Sequence, residues 1–187
     1  MTIIRTLCAS LALASLVPLT ACDTGGSYRT TAERSTTLDS QAESTLRRFR
    51  ETESGLKAYF DSAVGYAVFP EVSKGGIVVA GARGDGVLFE GGAATHYATL
   101  TAGSIGAQIG GQVFSEIIFF QTRTELEHFK MGAFELDAGA SAVAVRKGAT
   151  AAADYVRGVA VFVSGERGLM AEASVGGQRF DVRKINP

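Results

Sequence analysis

The sequence predicts an α+β fold with a strongly curved, glycine-rich, mainly antiparallel sheet, barrel-like in its curvature, and two or three packed helices. Three observations lead there. Twenty of the 23 glycines lie between Gly65 and Gly177, among β-branched residues. Glycine inside a strand marks a bulge, sharp coiling or a close backbone approach. Short β-rich runs recur through the same region, and helical patterning is confined to one long N-terminal stretch and one short interruption.

The long helix is expected to open at Ser40 and Glu43, which have capping-box spacing. Ala42, Leu46, Phe49, Glu53, Leu56 and Phe60 fall near one mostly apolar stripe. Arg47, Arg48, Arg50, Glu51 and Lys57 occupy the other face, and Gly55 is expected to break or kink the segment. Such a helix packs on its own domain. Attachment to a membrane surface is the alternative, weakened because the basic and acidic residues nearly cancel.

Strand-like runs occupy residues 66–69, 77–82, 87–89, 97–101, 115–121, 134–145, 155–163, 169–175 and 179–184. Phe180 and Val182 alternate with Asp181 and Arg183, as Phe134, Leu136 and Ala138 do with Glu135 and Asp137. These are half-exposed strands. Residues 77–80 and 159–163 are apolar on both faces and are expected to be central. Gly84-Asp85-Gly86 reads as a hairpin turn. Thr122 and Glu125 repeat the capping-box pattern and open a short helix through Phe129. The stretch 105–120 is too short and too polar, at Gln108, Gln112, Ser115 and Glu116, to span a bilayer.

At 187 residues the chain fits one domain. With 18 basic against 19 acidic residues, it lacks the charge of a generally nucleic-acid-seeking protein. Two histidines and two cysteines make a zinc site an unpromising expectation, and no cofactor is implied.

Residues 1–21 read as a secretory signal, with Arg5 before an apolar run from Leu7 to Leu19. Leu19-Thr20-Ala21-Cys22 resembles the bacterial lipobox. That resemblance implies cleavage before Cys22 and attachment of lipid, palmitate included, to its sulfur and new amino terminus. Cys8 leaves with the signal and Cys22 is acylated, so the mature chain would hold no free thiol. Asp23 resembles an inner-membrane retention residue of enteric bacteria, which leaves inner and outer membrane both open. Residues 22–37, polar and rich in serine and threonine, read as a tether, and residues 38–187 as the domain it carries.

Within that domain a set of motifs follows in order. Gly65-Tyr66-Ala67-Val68-Phe69-Pro70 precedes Lys74-Gly75-Gly76, then Gly81-Ala82-Arg83-Gly84-Asp85-Gly86-Val87. Gly103-Ser104-Ile105-Gly106-Ala107-Gln108-Ile109-Gly110-Gly111 leads into Ile117-Ile118-Phe119-Phe120, and Ser164-Gly165-Glu166-Arg167-Gly168-Leu169-Met170-Ala171 closes the series. In this order they resemble the SYLF domain family. The resemblance implies a lipid-binding module. Eukaryotic members bind phosphoinositides, and some couple to actin. This chain departs from them: its helical segment is not strongly basic, and residues 91–96 lack the tryptophan and proline often found there. Those departures set actin binding aside and leave phosphoinositide specificity open.

Catalysis finds little support. Ala102-Gly103-Ser104-Ile105-Gly106 approaches a nucleophile elbow, but only His128 follows Ser104, and Asp137 lies after that histidine. His96 and His128 read as single polar residues. Candidate groups for a lipid headgroup are cations beside glycine, where turn amides form anion nests: Lys74, Arg83, Arg146 and Lys147, with Arg167 in the same setting. The expected function is non-catalytic binding of membrane phospholipid, anionic above all, by an anchored lipoprotein facing the periplasm of a bacterial envelope. A scaffold binding a protein partner and a serine lipid hydrolase are the alternatives.

Overall fold

The computed structural model describes residues 31–52, 54–75, 79–105, 112–136, 141–144, 155–165, 173–174 and 177–185. The chain begins with helix α1 (Thr31–Thr52), a 3-10 turn (Ser54–Leu56) and helix α2 (Lys57–Ser62). Strands β1 (Gly65–Gly75), β2 (Val79–Glu90), β3 (Ala93–Ile105) and β4 (Gln112–Phe120) follow. Helix α3 (Arg123–Lys130) precedes β5 (Glu135–Leu136), β6 (Ser141–Ala144), β7 (Val159–Gly165), β8 (Ala173–Ser174) and β9 (Gln178–Lys184). The spatial order is β5-β9-β3-β2-β1-β4-β7-β6-β8. The first seven strands in that order are antiparallel, and β6 joins parallel to β7. The expected α+β class and its curled sheet are borne out.

The curl can be read from one contact. Three strands separate β9 from β4 in the sheet order. In a flat sheet that places them roughly 19 Å apart, at about 4.8 Å per strand. Yet Gln178 Nε2 on β9 donates to Glu116 Oε2 on β4 at 3.0 Å. The sheet therefore bends into a half-barrel with these two side chains meeting across its interior.

The bend is made in β1. Val68 pairs with Val87 and Glu71 with Asp85, so β1 holds one residue more than β2 across this interval. The same excess appears against β4, between Phe69 and Val72. A bulge at Phe69–Pro70 increases local twist and bends the strand, and Pro70 has no N–H to lose from the ladder. The expected hairpin at Gly84-Asp85-Gly86 is overturned here. β2 runs straight through it, and the two glycines serve close approach instead. A Cβ at Gly86 would lie 2.5 Å from Phe69 Cδ1 and 2.6 Å from the Val68 oxygen. One at Gly84 would lie 2.7 Å from the Glu71 oxygen. The turn falls later, at Gly91 and Gly92, with φ of 59° and 84°, a pair of positive angles suited to a two-residue hairpin.

Both sheet faces are covered. The concave face buries Phe69, Val72, Leu88, Leu100, Phe120 and Phe180, with Leu126 and Phe129 of α3. The convex face buries Tyr66, Val68, Val87, Ile117, Phe119 and Phe162 under Ala42, Leu46, Phe49 and Leu56. The predicted stripe of the long helix thus faces its own domain, and Thr45 completes the buried row. Burying a leucine or phenylalanine contributes about 1.5–3 kcal/mol each. The helix does not open at Ser40, however. Thr36, Thr37 and Ser40 donate to the carbonyls of Ala32, Glu33 and Thr36 at 3.1, 2.8 and 3.0 Å, four residues back inside a helix already running. Residues 31–37, read as tether from sequence, are helical.

The other elements follow their patterns. Residues 159–163 are buried throughout, and β9 alternates buried with exposed from Gln178 to Asp181. Thr122 holds the N-cap position of α3 as expected, but its hydroxyl donates to the Glu125 carboxylate and makes no cap hydrogen bond to a backbone N–H. The burial of residues 77–80 lies outside the described residues. Among the described residues no helix is long and apolar enough to cross a membrane.

Gly86→Ala should lower stability by about 1–3 kcal/mol, the usual cost of overpacking. Gly103→Ala, whose Cβ would meet nothing within 4 Å, should stay within about 0.5 kcal/mol of the parent. Urea unfolding of the two variants compares them directly.

Candidate functional site

The first half of α1, from Thr31 to Gln41, carries few apolar side chains, so it cannot close tightly on the sheet. Grooves remain on both sides of it, with Thr37, Gln41, Pro70 and Glu71 common to the two. One, of about 520 Å³, lies over β4 between Ser40, Arg48, Val113 and Ser115. There Arg48 Nη2 donates to Ser115 Oγ at 2.6 Å, and Ser115 Oγ donates to the Pro70 oxygen at 2.7 Å. This chain of bonds ties α1 to the bulge.

The other groove, of about 550 Å³, lies over β1, β2, β3 and β9. Arg34 of α1, Arg83 of β2 and Arg183 of β9 line it, with Glu71 and Asp85 as the carboxylates. Three guanidiniums and two carboxylates line the groove, with the Asp39 carboxylate behind Tyr97. The carboxylates are partly engaged: Thr99 Oγ1 donates to Asp85 Oδ1 at 2.8 Å and Ser73 Oγ to Glu71 Oε1 at 3.5 Å. None of the three arginines forms an ion pair among the described residues. The Arg183 guanidinium stacks 5.2 Å from the Tyr97 ring centre. The Tyr97 hydroxyl donates to Asp39 Oδ2 at 3.1 Å. Burial, with the Asp39 carboxylate alongside, pushes the Tyr97 phenol above its ordinary range. It therefore stays a neutral donor, and the groove's charge is set by arginine.

The sequence candidates separate. Arg83 lines the cationic groove. Lys74 is on the neighbouring strand but faces the other way. Val72, two residues before it, points into the concave core, whereas Ser73, the register partner of Arg83, lines the groove. Lys74 and Arg83 therefore do not form one patch. Arg83-Gly84 is strand, not turn, so no nest of free amides exists there: Gly84 pairs with Val72 and Leu100. Arg146, Lys147, Arg167 and Cys22 lie outside the described residues. Sequence reasoning missed Arg34, which it placed in the tether, and Arg183. The alternation of β9 does put Arg183 on the solvent face. Its partnership with Tyr97 depends on the β3–β9 register.

Ser104 is within β3, paired with Ala80. A nucleophile elbow requires a sharp turn from strand into helix, and the strand continues past Ser104 to Ile105. His96 Nδ1 is 2.9 Å from Thr95 Oγ1 and 3.8 Å from Glu90 Oε1. It belongs to a cluster in which Glu90 meets Lys130 at 3.3 Å and Arg123 at 3.1 Å, joining α3 to the β2–β3 hairpin. No group of three or more potential metal ligands occurs among the described residues.

A polar, cation-lined groove between a helix and a curled antiparallel sheet is the equipment of a binding domain. Among known proteins, residues 101–186 match the Ysc84 family, described as Las17-binding protein actin regulator, the family to which the sequence motifs pointed. The motifs at 103–111, 117–120 and 164–171 fall inside the matched span. The chain is also 27% identical over 157 residues to Beta cell expansion factor A of Aeromonas veronii. That match covers 83% of this chain and 60% of the relative, so the chain spans about three-fifths of that protein's length.

Arg48→Ala should cost about 1 kcal/mol through the lost bond to Ser115. Arg83→Ala should leave stability within about 0.5 kcal/mol, because the guanidinium forms no ion pair among the described residues. Thermal unfolding of the two variants measures the difference.

Proposed function

We propose that the chain is a non-catalytic phospholipid-binding lipoprotein of the bacterial envelope, held to a membrane through acylated Cys22 and facing the periplasm. The observation that carries the reading is the trio Arg34, Arg83 and Arg183, three guanidiniums around one groove that form no ion pair among the described residues. The match of residues 101–186 to the SYLF-type family supports a lipid partner. Guanidinium is the side chain best matched to phosphate oxygens, which it can engage with two parallel N–H donors. The groove recruits these charges from three separate elements, so it binds only when the domain is folded. The lipobox pattern at residues 19–22 supports the anchor, and its acyl chains would bury methylenes at about 0.8 kcal/mol each.

Cys22→Ala should release the chain from the membrane fraction into the soluble fraction of cells expressing it. Unchanged retention removes the anchor from the reading. The same variant, purified, should co-sediment with phosphatidylcholine vesicles only as phosphatidylglycerol is added, and less so as salt rises. Replacing Arg34, Arg83 and Arg183 together by alanine should weaken that binding about 100-fold, at about 1 kcal/mol per charge near an anionic surface. Binding by the triple variant equal to its parent refutes the groove. Failure of the parent to bind any vesicle refutes the lipid reading and favours a protein partner.

A further inference from the structure

Inside the half-barrel, near its open end, a carboxyl and a carboxamide meet with one hydrogen bond too few. Glu116 is wholly buried and Gln178 is 2% exposed. Gln178 Nε2 donates to Glu116 Oε2 at 3.0 Å. Glu116 Oε1 and Gln178 Oε1 are both buried with no partner. A carboxylate can only accept and the amide oxygen can only accept. Exchanging the amide's oxygen and nitrogen moves the deficit without curing it. One added proton on Glu116 supplies the donor that the pair lacks.

We propose that Glu116 and Gln178 form a proton-operated latch: protonated Glu116 donates from Oε1 to Gln178 Oε1, and loss of that proton to solvent releases β9 from its contact with β4. The position suits such a device. β9 hydrogen-bonds to β3 on one side and, among the described residues, only to two-residue β5 on the other. The cross-interior contact is the polar bond that draws this edge toward β4. Its release frees the edge and gives access to the apolar interior around Phe69, Phe114 and Phe180.

The surroundings place the ionisation in a useful range. Burial pushes the Glu116 carboxyl up to about 7, with the Gln178 bond acting in the opposite direction. On the same face, β1 presents Phe69 and Val72, β7 presents Val163, and β9 presents Phe180, all apolar. β2 and β3 contribute small residues there, Ala82, Gly84 and Ala102. Along this face of β1 the next charged residue after Val72 is Lys74, opposite Gln112 at the start of β4. Glu90, His96 and Lys130 sit at the hairpin end, near the Phe129 turn of α3. A carboxyl raised in the closed form stabilises that form fully below the unperturbed value of 4.5. The contribution is lost as pH rises from there to about 7 and does not return above it.

The test uses the full chain, with carboxyl-carbon NMR to titrate Glu116 and hydrogen exchange to follow the β9 amides. Glu116 should titrate near 7. Protection of β9, corrected for intrinsic exchange, should fall about 30-fold between about pH 5.5 and about pH 8.5, the linkage expected for that shift. Glu116→Gln supplies the missing donor without a titrating proton, so its β9 should stay protected at both pH values. Titration in the ordinary carboxylate range overturns the latch, as does β9 protection independent of pH. Loss of protection in Glu116→Gln at high pH equal to the parent's also overturns it. The two measurements on the parent chain decide the matter even where the variant folds poorly. The outcome is separate from lipid binding, since neither readout involves a membrane.

Discussion

One extra residue in β1 organises this molecule. At Phe69–Pro70 the central strand is longer than both of its neighbours, so it must arc rather than run straight. The arc is possible only because β2 offers no side chains opposite it: Gly84 and Gly86 lie where any Cβ would meet backbone or the Phe69 ring. From this bend come the curl that brings β9 round to β4 and the exposed carbonyl of Pro70 that Ser115 and Arg48 fasten to α1. Pro70 and Glu71 then form the shared floor of both grooves. The concave core, the helix attachment and the candidate site are consequences of the same local excess.

Much of the fold was legible because its periods are clean. The stripe Ala42, Leu46, Phe49 and Leu56 repeats at helical spacing, and Phe180 and Val182 alternate with charges at strand spacing, so burial could be assigned without knowing any partner. Thr122 and Glu125 marked a helix start correctly because a turn ends there. Ser40 and Glu43 carried the same letters but sit mid-helix, where the serine hydroxyl bonds to a carbonyl four residues back. Capping chemistry and back-bonding chemistry use the same residue types, and a single sequence does not separate them. Gly84-Asp85-Gly86 failed for a related reason. Glycine permits both a turn and a crowded strand, and only the β1 bulge decides between them.

The site was less legible, because its charges converge through register. Arg83 and Lys74 look equivalent as cations beside glycine, yet the pleat sends one to the groove and the other toward the interior. Arg34 and Arg183 reach the same groove from opposite ends of the chain. Tyr97 joins them only because β3 and β9 pair as they do. No spacing rule contains that information. What composition did establish was the constraint: with basic and acidic residues nearly balanced from Gly65 onward, any anion site must be a local gathering of arginines.

The two faces divide the chemistry between them. On the convex face, charge is tolerable because the first half of α1 lacks the apolar residues to seal the groove, so the arginines keep their water until a ligand arrives. On the concave face, water is excluded by aromatic rings, and Phe120, Phe129 and Phe180 pack with centroid distances of 4.9 and 5.0 Å along the series. A carboxyl placed there is governed by desolvation rather than by neighbouring charge. Glu116 is therefore no second member of the cationic site. The same curl that gathers the arginines outside forces one acid and one amide together inside, and their fit depends on a single proton.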